Sequence, residues 1–198
     1  MSRGDAVRAF FAVELGEEAV RAAEGVAEAL RGADPDGHVR WVASESYHLT
    51  LRFLGDTPEA KLPALQTALD AVAADQVRFA LQLDRLGCFP NERRPRVIWA
   101  GVQGDVEAAA TLKIALDAAL VPLGWEKENR PFRAHLTLGR VKHSHRQIRL
   151  PFGAALEPIP ISVDALHLVE SELRPDGPRY TTRHTATLLP APQNEPGA

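Results

Sequence analysis

Two histidines of this sequence stand in the same four-residue setting. His48 begins the run His-Leu-Thr-Leu, and His135 begins the same run again. Alternation of polar and apolar residues is typical of a β-strand, in which successive side chains point to opposite faces. Each strand then presents a histidine beside a threonine (Thr50 or Thr137), while the leucines and Phe53 face a core. We predict one polar site built from both strands; the alternative is a strand that was duplicated for packing alone.

Imidazole can serve as a base or an acid near neutral pH with little adjustment of its pKa. Two imidazoles on opposite sides of one ligand can divide the work. The neutral one takes a proton from attacking water or hydroxyl, and the protonated one gives a proton to the leaving oxygen. Threonine hydroxyls can donate hydrogen bonds to non-bridging phosphate oxygens, and a guanidinium would add a charged bidentate contact. Without a carboxylate cluster beside the motifs, this set predicts phosphodiester chemistry that needs no metal ion.

The charge of the chain is unevenly distributed. The net charge of the 198 residues is -3, which argues against a protein that coats nucleic acid broadly. Acidic residues dominate positions 16–36, whereas positions 130–150 hold arginine and lysine and no acidic residue. A second basic cluster is Arg93, Arg94 and Arg96. Charge runs usually lie on solvated faces, but this basic stretch brackets the second motif, so we expect a local anion site.

The composition limits the class and the compartment. Hydrophobic residues make up 45% and charged residues 25% of the chain, as in ordinary globular proteins. Cys88 is the single cysteine, which excludes an internal disulfide and fits a reducing cytoplasm; we interpret it as a packing residue. The N-terminus lacks an apolar signal region, and no apolar run approaches the length of a membrane span. We therefore expect a cytoplasmic monomer, with no membrane contact and no obligate protein partner.

The spacing of apolar residues predicts strands and helices in a repeated order. The second helix would begin with Asp56 or Thr57 as its N-cap. The predicted strands are 7–15, 38–42, 48–55, 77–89, 96–102, 132–142, 159–173 and 178–189, and the predicted helices are 17–31, 56–74 and 104–123.

Strand, helix, motif strand and hairpin follow one another twice. We therefore predict that residues 1–198 form a single bilobal domain with an internal repeat of about 6–92 and 93–190, and that 191–198 is a flexible tail. The expected fold class is α+β: a bilobal, pseudo-symmetric duplication with mainly antiparallel β-sheet in each lobe, helices outside and a central cleft. Packing the two halves face to face would bring the motif strands together across that cleft.

The paired His-x-Thr motifs and their flanks resemble the 2H phosphoesterase superfamily, and most closely its bacterial and archaeal RNA 2',3'-cyclic phosphodiesterases, historically called 2'-5' RNA ligases. The resemblance covers nearly the whole chain in order. The flanking runs that carry it are Arg40-Trp41-Val42, Phe53-Leu54-Gly55, Phe89-Pro90, Pro95-Arg96-Val97-Ile98-Trp99, Glu170-Ser171-Glu172-Leu173 and Gly177-Pro178-Arg179-Tyr180.

This resemblance implies a bilobal α+β fold and hydrolysis of a terminal 2',3'-cyclic phosphate to a 2'-phosphomonoester, with neither a metal ion nor another cofactor. The implied substrates are RNA ends or small nucleotides that carry a cyclic phosphate. Members of the superfamily also join 2'-5' linkages reversibly, an activity that does not follow from the residues of this chain.

Transferred by motif position, the resemblance makes His48 and His135 the catalytic pair and Thr50 and Thr137 the phosphate donors. Arg140 matches the arginine that follows the second motif and is expected to contact phosphate. We assign His135 as the base on water and His48 as the acid at the leaving 3'-oxygen. The near-symmetry of the two halves leaves this assignment open at the level of sequence.

Alternation along the motif strands predicts the face on which each of two arginines lies. Arg52 shares the strand face of His48 under simple alternation, and it would either contact substrate or lie in solvent. The same alternation places Arg140 on the face opposite His135, so its role requires a β-bulge or a strand end near Gly139.

Aromatic residues can stack on a terminal base. Phe89, on a predicted turn, is the candidate for that contact. We interpret Trp41, Trp99 and Trp125 as core residues and Tyr47 as a structural residue.

Other classes of protein remain as alternatives. His143 and His145 with His135 suggest a metal site, but no cysteine, Asp or Glu lies near them to complete it. No glycine-rich phosphate loop supports ATP dependence, and no nucleophile elbow frames the serines near His48. A non-catalytic protein that binds RNA ends or nucleotides would keep the basic stretch and the aromatic residues, but it would not need both histidines.

Overall fold

The computed structural model describes residues 6–129, 131–142, 148–175 and 177–191. These residues form three α-helices and nine β-strands. The helices are α1 (Glu17–Gly32), α2 (Leu62–Ala74) and α3 (Val106–Leu120). The strands are β1 (Ala6–Glu14), β2 (Val39–Trp41), β3 (His48–Pro58), β4 (Phe79–Phe89), β5 (Val97–Gly104), β6 (His135–Val141), β7 (Ala155–Val163), β8 (Ala165–Arg174) and β9 (Gly177–Thr187).

The strands form one antiparallel sheet in the order β7-β4-β5-β6-β3-β1-β8-β9, with β2 beside β6. The two motif strands, β3 and β6, lie at its centre and pair at one position, Leu49 opposite Leu136. The sheet therefore consists of two half-sheets that meet at the repeated motif. The predicted α+β class with mainly antiparallel sheet is confirmed.

Each half-sheet contains strands from both halves of the chain. β4, from the first half, pairs with β5 and β7, whereas β8 and β9, from the second half, pair with β1 and with each other. This arrangement differs from the expected sheet for each half of the chain, because α2 carries the chain away from β3 before β4 joins the other half-sheet. The internal repeat stays a prediction. Such a repeat would give the same strand order on both sides of the centre. Read from outside to centre, the order is β4-β5-β6 on one side and β8-β1-β3 on the other.

The main core lies between one face of the sheet and the helices. Leu49 and Leu136 share this cluster with leucines that recur every four residues on two helices, a spacing that places them on one helix face. The helix leucines are Leu65 and Leu69 of α2 and Leu112 and Leu116 of α3. A separate small cluster, Phe10, Ala12 and Val169, covers the other face of β1 and β8. The leucines of the motifs thus anchor both central strands to the helices.

Two predicted boundaries are wrong. β3 continues to Pro58 because Thr57 and Pro58 pair with Val7 and Ala6 of β1, so Asp56 and Thr57 do not cap a helix. Pairing with a distant strand outweighs the local capping preference here, and α2 begins at Leu62 after a 3₁₀ turn. The predicted strand 159–173 is two strands, β7 and β8, which separate at Asp164 and belong to different half-sheets.

No helix within the described ranges is long and apolar enough to cross a membrane. Of the predicted flexible tail, residues 192–198 lie outside the described residues.

Candidate active site

Strand pairing places both histidine–threonine pairs on one face of the sheet. Leu49 and Leu136 stand opposite each other and are 1% and 0% exposed, within the core. Because side chains alternate along a strand, the residues that flank these leucines point away from the core. They are His48, Thr50, His135 and Thr137, all partly buried. In an antiparallel register the two histidines are diagonal neighbours across this pair.

A β-bulge in β6 brings Arg140 to the same face. Thr137 and Gly139 pair with consecutive residues of β5, so Leu138 is an extra residue in the ladder. A bulge of this kind shifts the alternation by one position. Arg140 therefore shares the face of Thr137, and the predicted irregularity near Gly139 is confirmed. The Arg140 side chain stands opposite Arg40 of β2.

The same bulge occurs in β3, where it moves Arg52 away from the site. Thr50 and Arg52 pair with consecutive residues of β1, so Leu51 is the extra residue. Arg52 points to the helix side of the sheet, and Phe53 points to the histidine side, where 42% of it is exposed. The predicted core position of Phe53 and the predicted shared face of Arg52 and His48 are both wrong, because alternation does not survive a bulge.

Arg52 belongs to a buried cluster of charges under the sheet. Its Nε lies 3.1 Å from Asp117 Oδ1 and its Nη1 lies 3.3 Å from Glu128 Oε2. The first contact is an ion pair without hydrogen-bond alignment, since both atoms lack a hydrogen-bond partner. Lys113 completes the cluster by contacting Asp117 and Glu128. Arg52 is thus engaged by carboxylates away from the histidines, and the structure does not bring it to the substrate face.

The ring of His48 is held so that one nitrogen faces the site. Nδ1 lies 2.8 Å from the carbonyl oxygen of Ser46. Since a carbonyl only accepts hydrogen bonds, Nδ1 carries the proton and Nε2 keeps its lone pair in the neutral ring. The rings of Phe10 and Tyr180 pack against the imidazole, with centroids 4.8 and 5.0 Å away. Burial lowers the pKa of His48, and the nearby charges of His135 and Arg140 lower it further.

His135 is held in the same way. Its Nδ1 donates to the carbonyl oxygen of Arg133 at 2.7 Å, so Nε2 keeps its lone pair in the neutral ring. Phe89 contacts the ring edge-on at a centroid distance of 5.1 Å, and Trp99 lies 6.4 Å away. Burial lowers the pKa of His135, and Arg140 adds to that effect. Both imidazoles are therefore neutral near pH 7 unless an anion binds beside them.

The predicted donors and aromatic residues surround the two rings. The hydroxyls of Thr50 and Thr137 have no protein hydrogen-bond partner within the described ranges. Phe89 packs against Trp99, with ring centroids 5.0 Å apart. Thr50, Thr137, Phe89 and Arg140 are thus brought together with the histidines.

The predicted core position of Trp99 is wrong. Its ring is only half-buried and forms part of the wall beside His135. Gly87, directly opposite Trp99 in the ladder, makes room for the indole, because a Cβ there would come within 2.2 Å of the ring. A glycine opposite a tryptophan is a signal that requires the strand register, which the sequence does not contain. Trp41 and Trp125 pack on the main core, as predicted.

Phe10 and Tyr180 are neighbours of His48 that the sequence does not indicate. Phe10 lies in a strand that is apolar on both faces, so no periodicity distinguishes it. Tyr47 is 5% exposed, which confirms its structural interpretation.

The described residues contain no group of three His, Cys, Asp or Glu side chains that could hold a metal ion. His143 and His145, which suggested such a site, lie outside the described residues. Cys88 is buried, and burial raises the pKa of its thiol, which disfavours the nucleophilic thiolate.

An antiparallel α+β fold with two His-x-Thr strands joined at its centre is the arrangement of a two-histidine phosphoesterase. The sequence model of the family described as LigT like phosphoesterase matches residues 13–99 and 102–180. The protein therefore belongs to the LigT-like phosphoesterases of the 2H superfamily.

Characterised relatives agree with this family. An RNA 2',3'-cyclic phosphodiesterase of Methanothermobacter thermautotrophicus is 34% identical over 179 residues, which are 88% of this chain and 95% of that protein. One from Thermus thermophilus is 36% identical over 190 residues, covering 92% of this chain and 90% of that protein. The crystal structure of E. coli LigT with 3'-AMP has a TM-score of 0.76 at 26% identity, and covers 93% of this chain and 99% of the other.

Proposed function

We propose that this protein hydrolyses the terminal 2',3'-cyclic phosphate of RNA to a 2'-phosphomonoester, without a metal ion. The observation that carries the proposal is the matched setting of His48 and His135. Each ring is held through Nδ1 by a backbone carbonyl, on the same face of the sheet. The relatives that are named RNA 2',3'-cyclic phosphodiesterases support the class of substrate.

The reaction requires two proton transfers. Neutral His135 accepts a proton from water at Nε2 while the water oxygen attacks phosphorus. The bond between phosphorus and the 3'-oxygen then breaks, and protonated His48 donates its Nε2 proton to that oxygen. The products are a 3'-hydroxyl and a 2'-phosphomonoester; His135 is left protonated and His48 neutral, and exchange with solvent restores both.

The remaining site residues stabilise negative charge on the phosphate. Thr50 and Thr137 donate their hydroxyl protons to the non-bridging oxygens, and the Arg140 guanidinium adds a charged contact. Bound phosphate also favours a proton on one imidazole, because an anion next to a histidine raises its pKa. Binding of the substrate thus prepares the acid that the reaction needs.

The aromatic wall beside His135 offers a place for the terminal base. Cavities of about 480 and 670 Å³ lie beside Trp99, and Arg85 lines both. Their volumes are within the range of small-ligand sites. Phe89, which packs against both Trp99 and His135, is proposed to stack on the base.

Ligation would use the same proton transfers with a different nucleophile. If the 5'-hydroxyl of another RNA replaces water, attack on phosphorus yields a 2'-5' phosphodiester and the same 3'-hydroxyl. We propose this as a second, reversible activity.

Product analysis tests the proposed reaction. An oligonucleotide that ends in a 2',3'-cyclic phosphate is expected to yield a 2'-phosphate end, resolved from the 3'-isomer by ³¹P NMR. Excess chelator is expected to leave the rate unchanged. A 3'-phosphate product would show that the leaving oxygen is misassigned. A rate that falls with chelator and returns with added metal would contradict the metal-free mechanism, and binding without turnover would favour the non-catalytic alternative.

The pH dependence of kcat/KM is expected to be bell-shaped. Activity falls at low pH because the base must be neutral, and it falls at high pH because the acid must be protonated. Burial lowers the pKa of both histidines in the free enzyme, so the low-pH limb is expected below the range of free imidazole. The two limbs belong to the coupled pair. A flat profile between about pH 5 and 9 would contradict a mechanism that uses two histidines.

A further inference from the structure

The two motif histidines have different neighbours on the adjacent strand. β1 pairs with β3 and places Glu14 directly opposite His48. β5 pairs with β6 and places Gly101 directly opposite His135. Directly opposite residues point to the same face of a sheet, with their Cβ atoms about 5 Å apart. A residue with a carboxylate therefore stands opposite one histidine in the ladder, and a residue without a side chain stands opposite the other.

Glu14 is held in place by the strands beyond it. The hydroxyl of Thr182, on β9, donates to Glu14 Oε1 at 2.7 Å. His167 Nδ1, on β8, lies 3.6 Å from the same oxygen and 3.1 Å from the hydroxyl of Thr185. The Glu14 side chain is 49% exposed, so solvent screens part of its charge. These contacts hold the carboxylate on the histidine side of the sheet, on the side of β1 that faces β8 and β9.

The charges around the two imidazoles differ accordingly. His48 faces Glu14 from β1, His135 and Arg140 from β6, and Tyr180 from β9, and His167 of β8 lies behind Glu14. Burial lowers the pKa of His48, and the Glu14 carboxylate raises it. Arg140 is the charged group that acts on His135. Glu14 thus favours a proton on His48, whereas the charge that acts on His135 disfavours one.

We propose that Glu14 is a positioning residue that favours a proton on His48 when the phosphate is bound, so that His48 is the acid and His135 is the base. This inference rests on the proposed function. Glu14 itself need not touch the substrate: its negative charge favours the imidazolium before the reaction and favours reprotonation of His48 after the 3'-oxygen has left. The glycine opposite His135 leaves that ring free to stay neutral and accept a proton from water.

The test is to titrate both histidines by NMR in the wild type and in Glu14→Gln. The pKa of His48 is expected to fall in the variant, while that of His135 stays unchanged. Glu14→Asp is expected to restore most of the difference. Glu157→Gln removes the same charge from an exposed position on the outer strand β7, and it is expected to change neither pKa. An unchanged His48 titration in Glu14→Gln, or an equal change at His135, would overturn the inference.

The pH profile of kcat/KM then separates acid from base. If His48 is the acid, a lower pKa reduces kcat/KM at alkaline pH, by about 10-fold for one pKa unit, and leaves the acidic extreme unchanged. If His48 were the base, Glu14→Gln would instead raise kcat/KM at acidic pH, which would overturn the assignment. The NMR titration needs no turnover. A wild type that hydrolyses no cyclic phosphate would therefore refute the proposed function, whereas turnover with an unchanged His48 titration refutes only the role of Glu14.

Discussion

Replacing either His48 or His135 with alanine is expected to lower kcat on a cyclic-phosphate-ended oligonucleotide by at least about 100-fold. In the proposed mechanism each imidazole performs one of two proton transfers, so the loss of either ring leaves one transfer without its donor or acceptor. KM is expected to change less, because the proposed phosphate contacts of the threonine hydroxyls and Arg140 remain in both variants. The measurement is steady-state kinetics on one substrate for the wild type and both variants.

A surface histidine provides the matched control. His184, on β9, has its Nε2 2.7 Å from Asp70 Oδ1 of α2, on the helix side of the sheet. His184→Ala removes an imidazole from the same protein without touching the motif strands, and it is expected to keep the wild-type rate. Circular dichroism should show that all three variants are folded. Near-normal rates in both motif variants would rule out the acid–base pair.

Replacing Asp117 with alanine is expected to lower the free energy of unfolding by about 3–5 kcal/mol. Asp117 is 9% exposed and contacts both Lys113 and Arg52, two cations that are themselves buried. Without Asp117, Glu128 remains as the nearby carboxylate for both cations, and its side chain is 35% exposed. The variant therefore leaves two buried cations that share one partly exposed carboxylate. Urea denaturation of the wild type and the variant measures the difference.

The exposed ion pair of α1 is the control for this experiment. Arg21 and Glu17 have the same four-residue spacing as Lys113 and Asp117, but their side chains are 66% and 92% exposed. Glu17→Ala is expected to cost no more than about 0.5 kcal/mol. If Asp117→Ala costs as little as Glu17→Ala, the buried cluster does not stabilise the fold in the way described.

Local periodicity was sufficient to predict several features of the site. A run such as His-Leu-Thr-Leu has the two-residue period of a strand, so its leucines enter a core and its polar residues share the other face. That reasoning holds for His48 and Thr50 and for His135 and Thr137, because both runs lie before the bulges. It also identified the α+β class, since the helical and strand periods differ along the chain.

Beyond the motif, the same reasoning failed. The second leucine of each motif, Leu51 or Leu138, is an extra residue in its ladder. Arg52 therefore turns to the helices, Phe53 turns to the histidines, and Arg140 reaches the site. For Arg140 the sequence already indicated a bulge, because simple alternation placed it on the face opposite His135 and its expected role required the same face. In Arg52 nothing in the local sequence indicated the change of face.

Sequence alone determined which side chains could do chemistry and which of them share a strand face, because alternation is a property of the extended backbone itself. The tertiary structure decided which strands lie side by side. Only that pairing shows where the bulges fall, that Gly87 makes room for Trp99, and that Glu14 and Gly101 are the unequal neighbours of two similar histidines. These contacts join residues far apart in the chain through backbone hydrogen bonds, and the order of residues along one strand does not specify its partner.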